Sequence, residues 1–217
     1  MTPRPPSRSV FPDPRLVPGD EPFARGENYQ PEVLLDAYRH GIFPWPTDGE
    51  VYWWSPDPRA IIPLNGLRIS RSLRRTLRTA GLRCTVDRDF SGVMTSCAAI
   101  RGPDTWITPA YMSGYRRLHE LGAAHSVEVW ELGELVGGLY GVTVGAVFTG
   151  ESMFHRRPDA SKVAMVALRD RMVERGFALL DAQLPTAHLT SMGAVAIPRT
   201  QYLDRLSELV DEAVSFA

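Results

Sequence analysis

The spacing of apolar positions divides the chain into segments of different period. Behind Pro31, a favourable first helical residue, Val33, Leu34, Ala37 and Tyr38 recur at helical spacing until Gly41 stops the run. A second helical pattern covers Ile69 to Arg78 and a third covers Phe90 to Ile100. A fourth begins at Thr108-Pro109, an N-cap and first-turn proline, and continues to Leu121. Arg83 to Val86 suits a short strand. Three further strand candidates, Ser126 to Glu131, Glu134 to Tyr140 beyond the Gly133 turn, and Ala146 to Phe154, together predict an antiparallel meander. Asp159 is then expected to cap a helix in which Ala164, Leu168 and Met172 repeat every fourth residue before Gly176 ends it. Phe177 to Gln183 has the apolar density of a buried strand, and a last helix is predicted from Pro198 to Val214. This order makes an α+β layout with a mixed sheet.

Composition changes the picture at the N-terminus. Eight of the 18 prolines fall within the first 31 residues and 13 within the first 63, a density that disfavours long helices and interior strands. The opening residues therefore read as a tail, and Phe43 to Pro58 reads as compact irregular structure. A boundary near Pro58 divides the chain into a small N-terminal domain, residues 1–58, and a larger one, 59–217. Hydrophobic residues make up 44% and charged residues 23% of the 217, enough apolar material for a core. No apolar signal region opens the chain, Leu135 to Gly150 is too short and Gly-rich to span a bilayer, and the two cysteines, Cys84 and Cys97, do not suggest a disulfide framework. A soluble, cytoplasmic protein is expected. C-x-x-C, H-E-x-x-H and P-loop strings do not occur, so the commonest zinc and nucleotide motifs are excluded. With a net charge of −1, any polyanionic partner needs a local patch.

Four features carry candidate chemistry. Between Pro58 and Val86 stand seven arginines and no acidic residue; Arg71, Arg74, Arg75 and Arg78 share one helical face, with Ile69, Leu73 and Leu77 behind it. Such a face suits phosphate oxygens, or is simply solvated. Glu151 interrupts the apolar run from Ala146 to Phe154. Strand alternation would put it on the side of Val147, Thr149 and Met153, where a carboxylate wants a cation, from Lys162, Arg156 or Arg157 or from a substrate. Asp181 and Gln183 end the apolar strand two residues apart, so the carboxylate can accept from the Gln amide and orient it, or the pair merely terminates the strand. Trp45, Trp53, Trp54 and Trp106 fill a core or form a base-stacking platform.

The strings Leu35-Asp36-Ala37-Tyr38-Arg39-His40-Gly41-Ile42-Phe43-Pro44-Trp45, Trp53-Trp54-Ser55-Pro56-Asp57-Pro58-Arg59-Ala60, Thr105-Trp106-Ile107-Thr108, Gly137-Gly138-Leu139-Tyr140-Gly141-Val142, Gly150-Glu151-Ser152-Met153-Phe154 and Asp181-Ala182-Gln183 resemble, in order, leucyl/phenylalanyl-tRNA–protein transferases. The resemblance runs from about Tyr29 to Leu206. It implies an acetyltransferase-like (GNAT-like) mixed-sheet domain behind the small N-terminal one. It also implies transfer of Leu or Phe from aminoacyl-tRNA to proteins with N-terminal Arg or Lys, for degradation by the N-end rule pathway; a pocket that selects by apolar shape alone would also accept Met weakly. By motif position, Trp45 and Trp106 would hold the terminal adenosine, and Arg71, Arg74, Arg75 and Arg78 would lie near acceptor-stem phosphates. Leu139, Met153, Met165, Leu168 and Leu180 would line the pocket for the transferred side chain. Glu151, Asp181 and Gln183 would form the reaction site, in a monomer needing no metal or cofactor. The chain departs from the family pattern at residues 24–28, at Pro185-Thr186 and in a short C-terminus.

Rival readings make distinct demands. A CoA-dependent acetyltransferase needs an [RQ]-x-x-G-x-[GA] turn, and none precedes Asp159. A serine hydrolase would use Ser152, His188 and Asp181, but Gly150-Glu151-Ser152-Met153-Phe154 lacks the second glycine of a nucleophile elbow. An RNA-binding module would rest on the Arg face and the tryptophans, and would bind without transfer.

Overall fold

The computed structural model describes residues 9–17, 21–22, 24–26, 28–47 and 50–217. Chain order gives β1 (Ala24–Arg25), α1 (Pro31–Arg39), β2 (Phe43–Thr47), β3 (Glu50–Trp54), β4 (Arg59–Ile62), α2 (Arg71–Thr79), β5 (Arg83–Val86), α3 (Phe90–Arg101) and α4 (Pro109–Glu120). It continues with β6 (Ala124–Glu131), β7 (Glu134–Val144), β8 (Val147–His155), α5 (Ala160–Glu174), β9 (Leu179–Gln183), α6 (Ala187–Ser191), β10 (Val195–Ile197) and α7 (Arg199–Leu209). The strands form a small sheet of order β1-β3-β2 and a seven-stranded mixed sheet of order β10-β4-β9-β8-β7-β6-β5, in which only β8 and β9 pair in parallel.

The aromatic, proline-rich stretch is a hairpin and not irregular structure. Phe43 pairs with Trp54 and Trp45 with Tyr52, while Pro44 and Pro46 occupy alternate positions of the edge strand β2. Backbone N–H groups point alternately toward and away from the neighbour, so two prolines spaced by two remove only outward donors. Four residues bracketed by Pro58 and Pro63 likewise escape strand patterning, yet β4 lies inside the large sheet.

Part of the expected tail is an ordered strap. Ser9 Oγ donates to Asp36, Phe11 packs on Trp53 at 4.8 Å between ring centroids, and Arg15 pairs with Asp204 at 2.7 Å. Residues 1–8 of that tail and Glu27 of the divergent 24–28 tract lie outside the described residues.

Capping explains the helix starts. Ser70 Oγ accepts from Leu73 N and Thr108 Oγ1 from Tyr111 N. Asp159 stands before α5 but in a left-handed conformation without a side-chain cap; its carboxylate is held by Lys162 at 2.9 Å and Thr76 at 3.4 Å. The last helix ends five residues before the predicted Val214, because Ala146 N and Arg39 Nη1 take the carbonyls of Leu209 and Val210. The chain then turns to bury Phe216 against Phe148 and Phe177.

Two apolar clusters cover the two faces of the large sheet. One joins α1, α3, α4, α7 and the small sheet to Tyr140, Val142 and Phe154; the other joins α2 and α5 to Val127, Leu139, Phe148 and Leu180. Gly41, at φ +73°, closes α1 directly against α7, and a Cβ there would stand 2.7 Å from Leu203 Cδ2 and 2.8 Å from Tyr202 Cε1. Gly41→Ala therefore combines backbone strain with overpacking, and urea unfolding should register a loss of about 1–3 kcal/mol.

Candidate active site

The site arises where two strands part. β8 and β9 pair through Val147↔Leu179, Phe148↔Leu180 and Thr149↔Asp181, and the pairing stops there although both strands continue. A bulge in β8 moves its register with β7 from Gly141↔Gly150 to Tyr140↔Ser152 and leaves Glu151 without a cross-strand partner. A second bulge shifts β4 against β9, from Ile61↔Asp181 to Ala60↔Gln183. The opening is a cavity of about 230 Å³.

The five predicted pocket residues, Leu139, Met153, Met165, Leu168 and Leu180, all line that cavity, together with Trp45, Trp106, Glu151, Asp181 and Gln183. Ile62, Leu184 and Leu189 complete the apolar wall and were not anticipated; the first lies on the unrecognised β4, the others around the short α6. Glu151 stays, as expected, on the side of Val147 and Thr149, but the bulge parts it from Met153. Glu151 and Ser152 lie on the side of α1, α3 and α4, while Met153 packs into the opposite cluster.

Among the described residues no cation pairs with Glu151. Lys162 binds Asp159, Arg156 binds Ser96 and Arg157 binds Glu131. The carboxylate instead accepts from Tyr38 (2.8 Å), Tyr111 (2.7 Å), Tyr115 (3.4 Å) and Gln183 Nε2 (2.8 Å). Tyr38, its one proton given to Glu151, accepts in turn from Tyr115, whose longer contact with Glu151 is the weaker branch of the same donor. Burial foremost, then the charge of Glu151, pushes these three phenols above their ordinary range, so they remain donors. Burial likewise raises Glu151 to about 7, against the opposing hydrogen bonds from Tyr111 and Tyr38.

Asp181 does not hold the Gln183 side chain, as spacing had suggested. Its two oxygens accept from Arg59 Nε (2.8 Å) and Nη2 (2.6 Å), Tyr202 Oη (2.9 Å), Thr149 Oγ1 (3.1 Å) and the backbone N of Gln183 (2.9 Å). Five donors exhaust a carboxylate's lone pairs and leave nothing for a substrate. Gln183 itself sits at φ +60°, a costly conformation for a side-chain-bearing residue, fixed by Asp181 behind and Glu151 beside it. With its amide N–H given to Glu151, the Gln183 side chain keeps its carbonyl for another donor. Arg59 was not anticipated as part of this cluster, although its motif Asp57-Pro58-Arg59 stood in plain view.

Trp45 and Trp106 stack with centroids 5.8 Å apart and planes at 23°. A third ring between them would need about 7 Å, twice a carbon contact, so a nucleobase must part them or use an outer face. Trp53 by contrast is core. Arg71, Arg74, Arg75 and Arg78 are exposed on α2, form no ion pair among the described residues, and do not line the cavity. Behind them Leu73 is buried, but Leu77 is 40% exposed, so the helix is anchored less fully than predicted. Ser152, His188 and Asp181 form no hydrogen-bonded series: Ser152 Oγ accepts from Arg101 and Asp181 is saturated.

Comparison with known proteins supplies the class. The family described as leucyl/phenylalanyl-tRNA protein transferase matches residues 61–207, and its N-terminal domain matches residues 27–57. Relatives with that name include the proteins of Stutzerimonas stutzeri, 51% identical over 87% of this chain and 84% of its own, and of Syntrophobacter fumaroxidans, 51% identical over 94% and 89%. Solved structures align only distantly. A GCN5-related N-acetyltransferase from Kribbella flavida is 12% identical, with a TM-score of 0.41 over 74% of this chain and 58% of that one. A GCN5-related region of a fungal β-N-acetylglucosaminidase is 12% identical, with a TM-score of 0.48 over 85% and 24%. The sequence matches define an aminoacyltransferase, with an aminoacyl-tRNA and a protein as substrates. The chain belongs to the leucyl/phenylalanyl-tRNA–protein transferase family.

The buried carboxyl has a thermodynamic signature. Because Glu151 keeps its proton to higher pH folded than unfolded, the folded state binds the extra proton between about pH 4.5 and 7, and stability falls as pH rises through that window. The loss approaches roughly 3 kcal/mol. Urea unfolding at pH 5 and pH 8 should show wild type losing stability that Glu151→Gln does not lose.

Proposed function

We propose that this protein moves Leu or Phe, and weakly Met, from aminoacyl-tRNA to the α-amine of proteins bearing N-terminal Arg or Lys, as a cytoplasmic monomer that marks them for N-end rule degradation. The observation that carries the reading is the Gln183 carbonyl, fixed beside an apolar pocket by Glu151 and Asp181. In this reading residues 1–58 are a small domain that contributes Tyr38 and Trp45, and residues 59–217 hold the remaining site.

The chemistry asks little of a base. The acceptor amine has an ordinary pKa of about 7.7–8.0, so freeing its lone pair at pH 7 costs about 1–1.4 kcal/mol. The amine nitrogen attacks the ester carbon, a C–N bond forms, and the ester C–O bond breaks. The ribose oxygen leaves with one proton, which balances the proton lost from nitrogen. Gln183 accepts a hydrogen bond from the attacking amine and aims it, while the charge on Glu151 attracts the acceptor's cationic end. Near-attack positioning of this kind supplies roughly 7–11 kcal/mol, several times the deprotonation cost. Asp181 acts through the Gln183 backbone. Trp45 and Trp106 receive the terminal adenosine, and Arg71, Arg74, Arg75 and Arg78 meet phosphates of the acceptor stem.

Leu139, Met153, Met165, Leu168 and Leu180 select the transferred side chain by shape. An apolar pocket discriminates by only about 1–3 kcal/mol per methylene, so Leu, Phe and Met all enter. Ile and Val, branched beside the reacting carbonyl, crowd the mouth. With labelled aminoacyl-tRNAs and a peptide beginning with Arg, label should reach the peptide from Leu- and Phe-tRNA and scarcely from Ile-tRNA. Absence of any transfer, or binding alone, would refute the reading.

Substitution at Gln183 separates aiming from base catalysis. Gln183→Glu sets a second carboxyl beside Glu151, and the two share a proton that replaces the amide N–H. Transfer should stay within about tenfold of wild type and decline at alkaline pH as that proton leaves. Gln183→Ala should lose about a hundredfold or more in kcat/KM, the cost of a misplaced reactant. Equal losses in the two variants would contradict the aiming role.

A further inference from the structure

One cation at the mouth of the cavity has no part in the site described so far. Arg101, at the C-terminal end of α3, lines the cavity beside Trp45 and Trp106. Its guanidinium carbon lies 5.2 Å from the Trp106 ring centroid, and Nη2 donates to Ser152 Oγ at 3.2 Å. It is exposed, and among the described residues no carboxylate pairs with it. The other arginines around the sheet end are spoken for: Arg59 by Asp181, Arg157 by Glu131, Arg156 by Ser96 and a backbone carbonyl. Arg101 thus keeps most of its five donors and its whole charge unspent, in a plane already set by an indole face and a hydroxyl.

We propose that Arg101 binds the phosphodiester on the 5′ oxygen of the donor's terminal nucleoside. The inference rests on the proposed adenosine site at Trp45 and Trp106. A nucleoside with its base against Trp106 and its esterified ribose turned to Gln183 carries one anionic group close to the base, its own 5′-phosphate. A planar guanidinium lying over the same indole is the complementary donor fork. Arg101 would then fix the ribose against rotation about the stacked base, which a stacking contact alone does not do. It reads no sequence, as expected of a contact to a terminus shared by every tRNA.

The test compares two inhibitors of Leu transfer from intact Leu-tRNA. One is adenosine carrying phenylalanine at the 3′ position through a non-hydrolysable amide; the other is the same compound with a 5′-phosphate. Wild type should bind the phosphorylated compound about ten- to a hundredfold more tightly, the range for a charged hydrogen-bonding pair. In Arg101→Ala the ratio of the two inhibition constants should fall to near one, and Arg101→Lys should restore part of it. A ratio that survives in Arg101→Ala while both compounds weaken together would make Arg101 a clamp on Trp106 and overturn the proposal. So would wild type that does not distinguish the compounds, or is inhibited by neither. Failure of the underlying reading is separate, because it appears as absence of transfer from Leu-tRNA in wild type before any inhibitor is added.

Discussion

A single buried ion pair holds the working parts of this molecule together. Arg59 and Asp181, each almost wholly removed from water, join β4 to β9, and Arg59 also donates to the Gly41 carbonyl at 3.0 Å and lies over the rings of Phe43 and Tyr202. The pair thereby couples the turn after α1, the proline hairpin, the large sheet and α7. Its value is geometric more than energetic, since desolvating two charges consumes much of what their attraction returns. An apolar pair of similar volume could fill the same space. It could not present an oxygen to the Gln183 backbone N–H and so could not hold that residue in its left-handed conformation.

Two buried carboxylates 30 residues apart in sequence therefore divide the labour. Asp181 is matched by a cation and saturated with donors. Glu151 has no cation partner among the described residues, sits among phenols, and is pushed up by burial to about 7. The contrast follows from their neighbours, and it separates a group that maintains backbone geometry from one whose charge changes near neutral pH. The parting of β8 and β9 places an amide between them at the head of an apolar cavity.

Much of this was legible in sequence, for identifiable reasons. The meander, α3, α4 and α5 follow hydrophobic period and caps such as Thr108, which act locally. The five apolar pocket residues came from motif position and do converge. What escaped was non-local. Pro44 and Pro46 disguised an edge strand, Pro58 and Pro63 disguised an interior one, and α7 stopped where Ala146 and Arg39 claimed its carbonyls. The partners of Asp181 and Gln183 were exchanged because strand alternation assumes an unbroken ladder, and two bulges break it. A bulge has no reliable signature in a run such as Thr149-Gly150-Glu151-Ser152, where every residue suits either register.

The proline edge of the small sheet has a consequence for a protein whose substrates include another polypeptide. A bare outer strand is a template on which an extended chain can anneal, and a substrate offering a free, unfolded terminus is the sort of chain that would do so. With Pro44 and Pro46 at the two outward donor positions, β2 presents a border that cannot complete a ladder. Loose termini are thus denied a foothold on that rim.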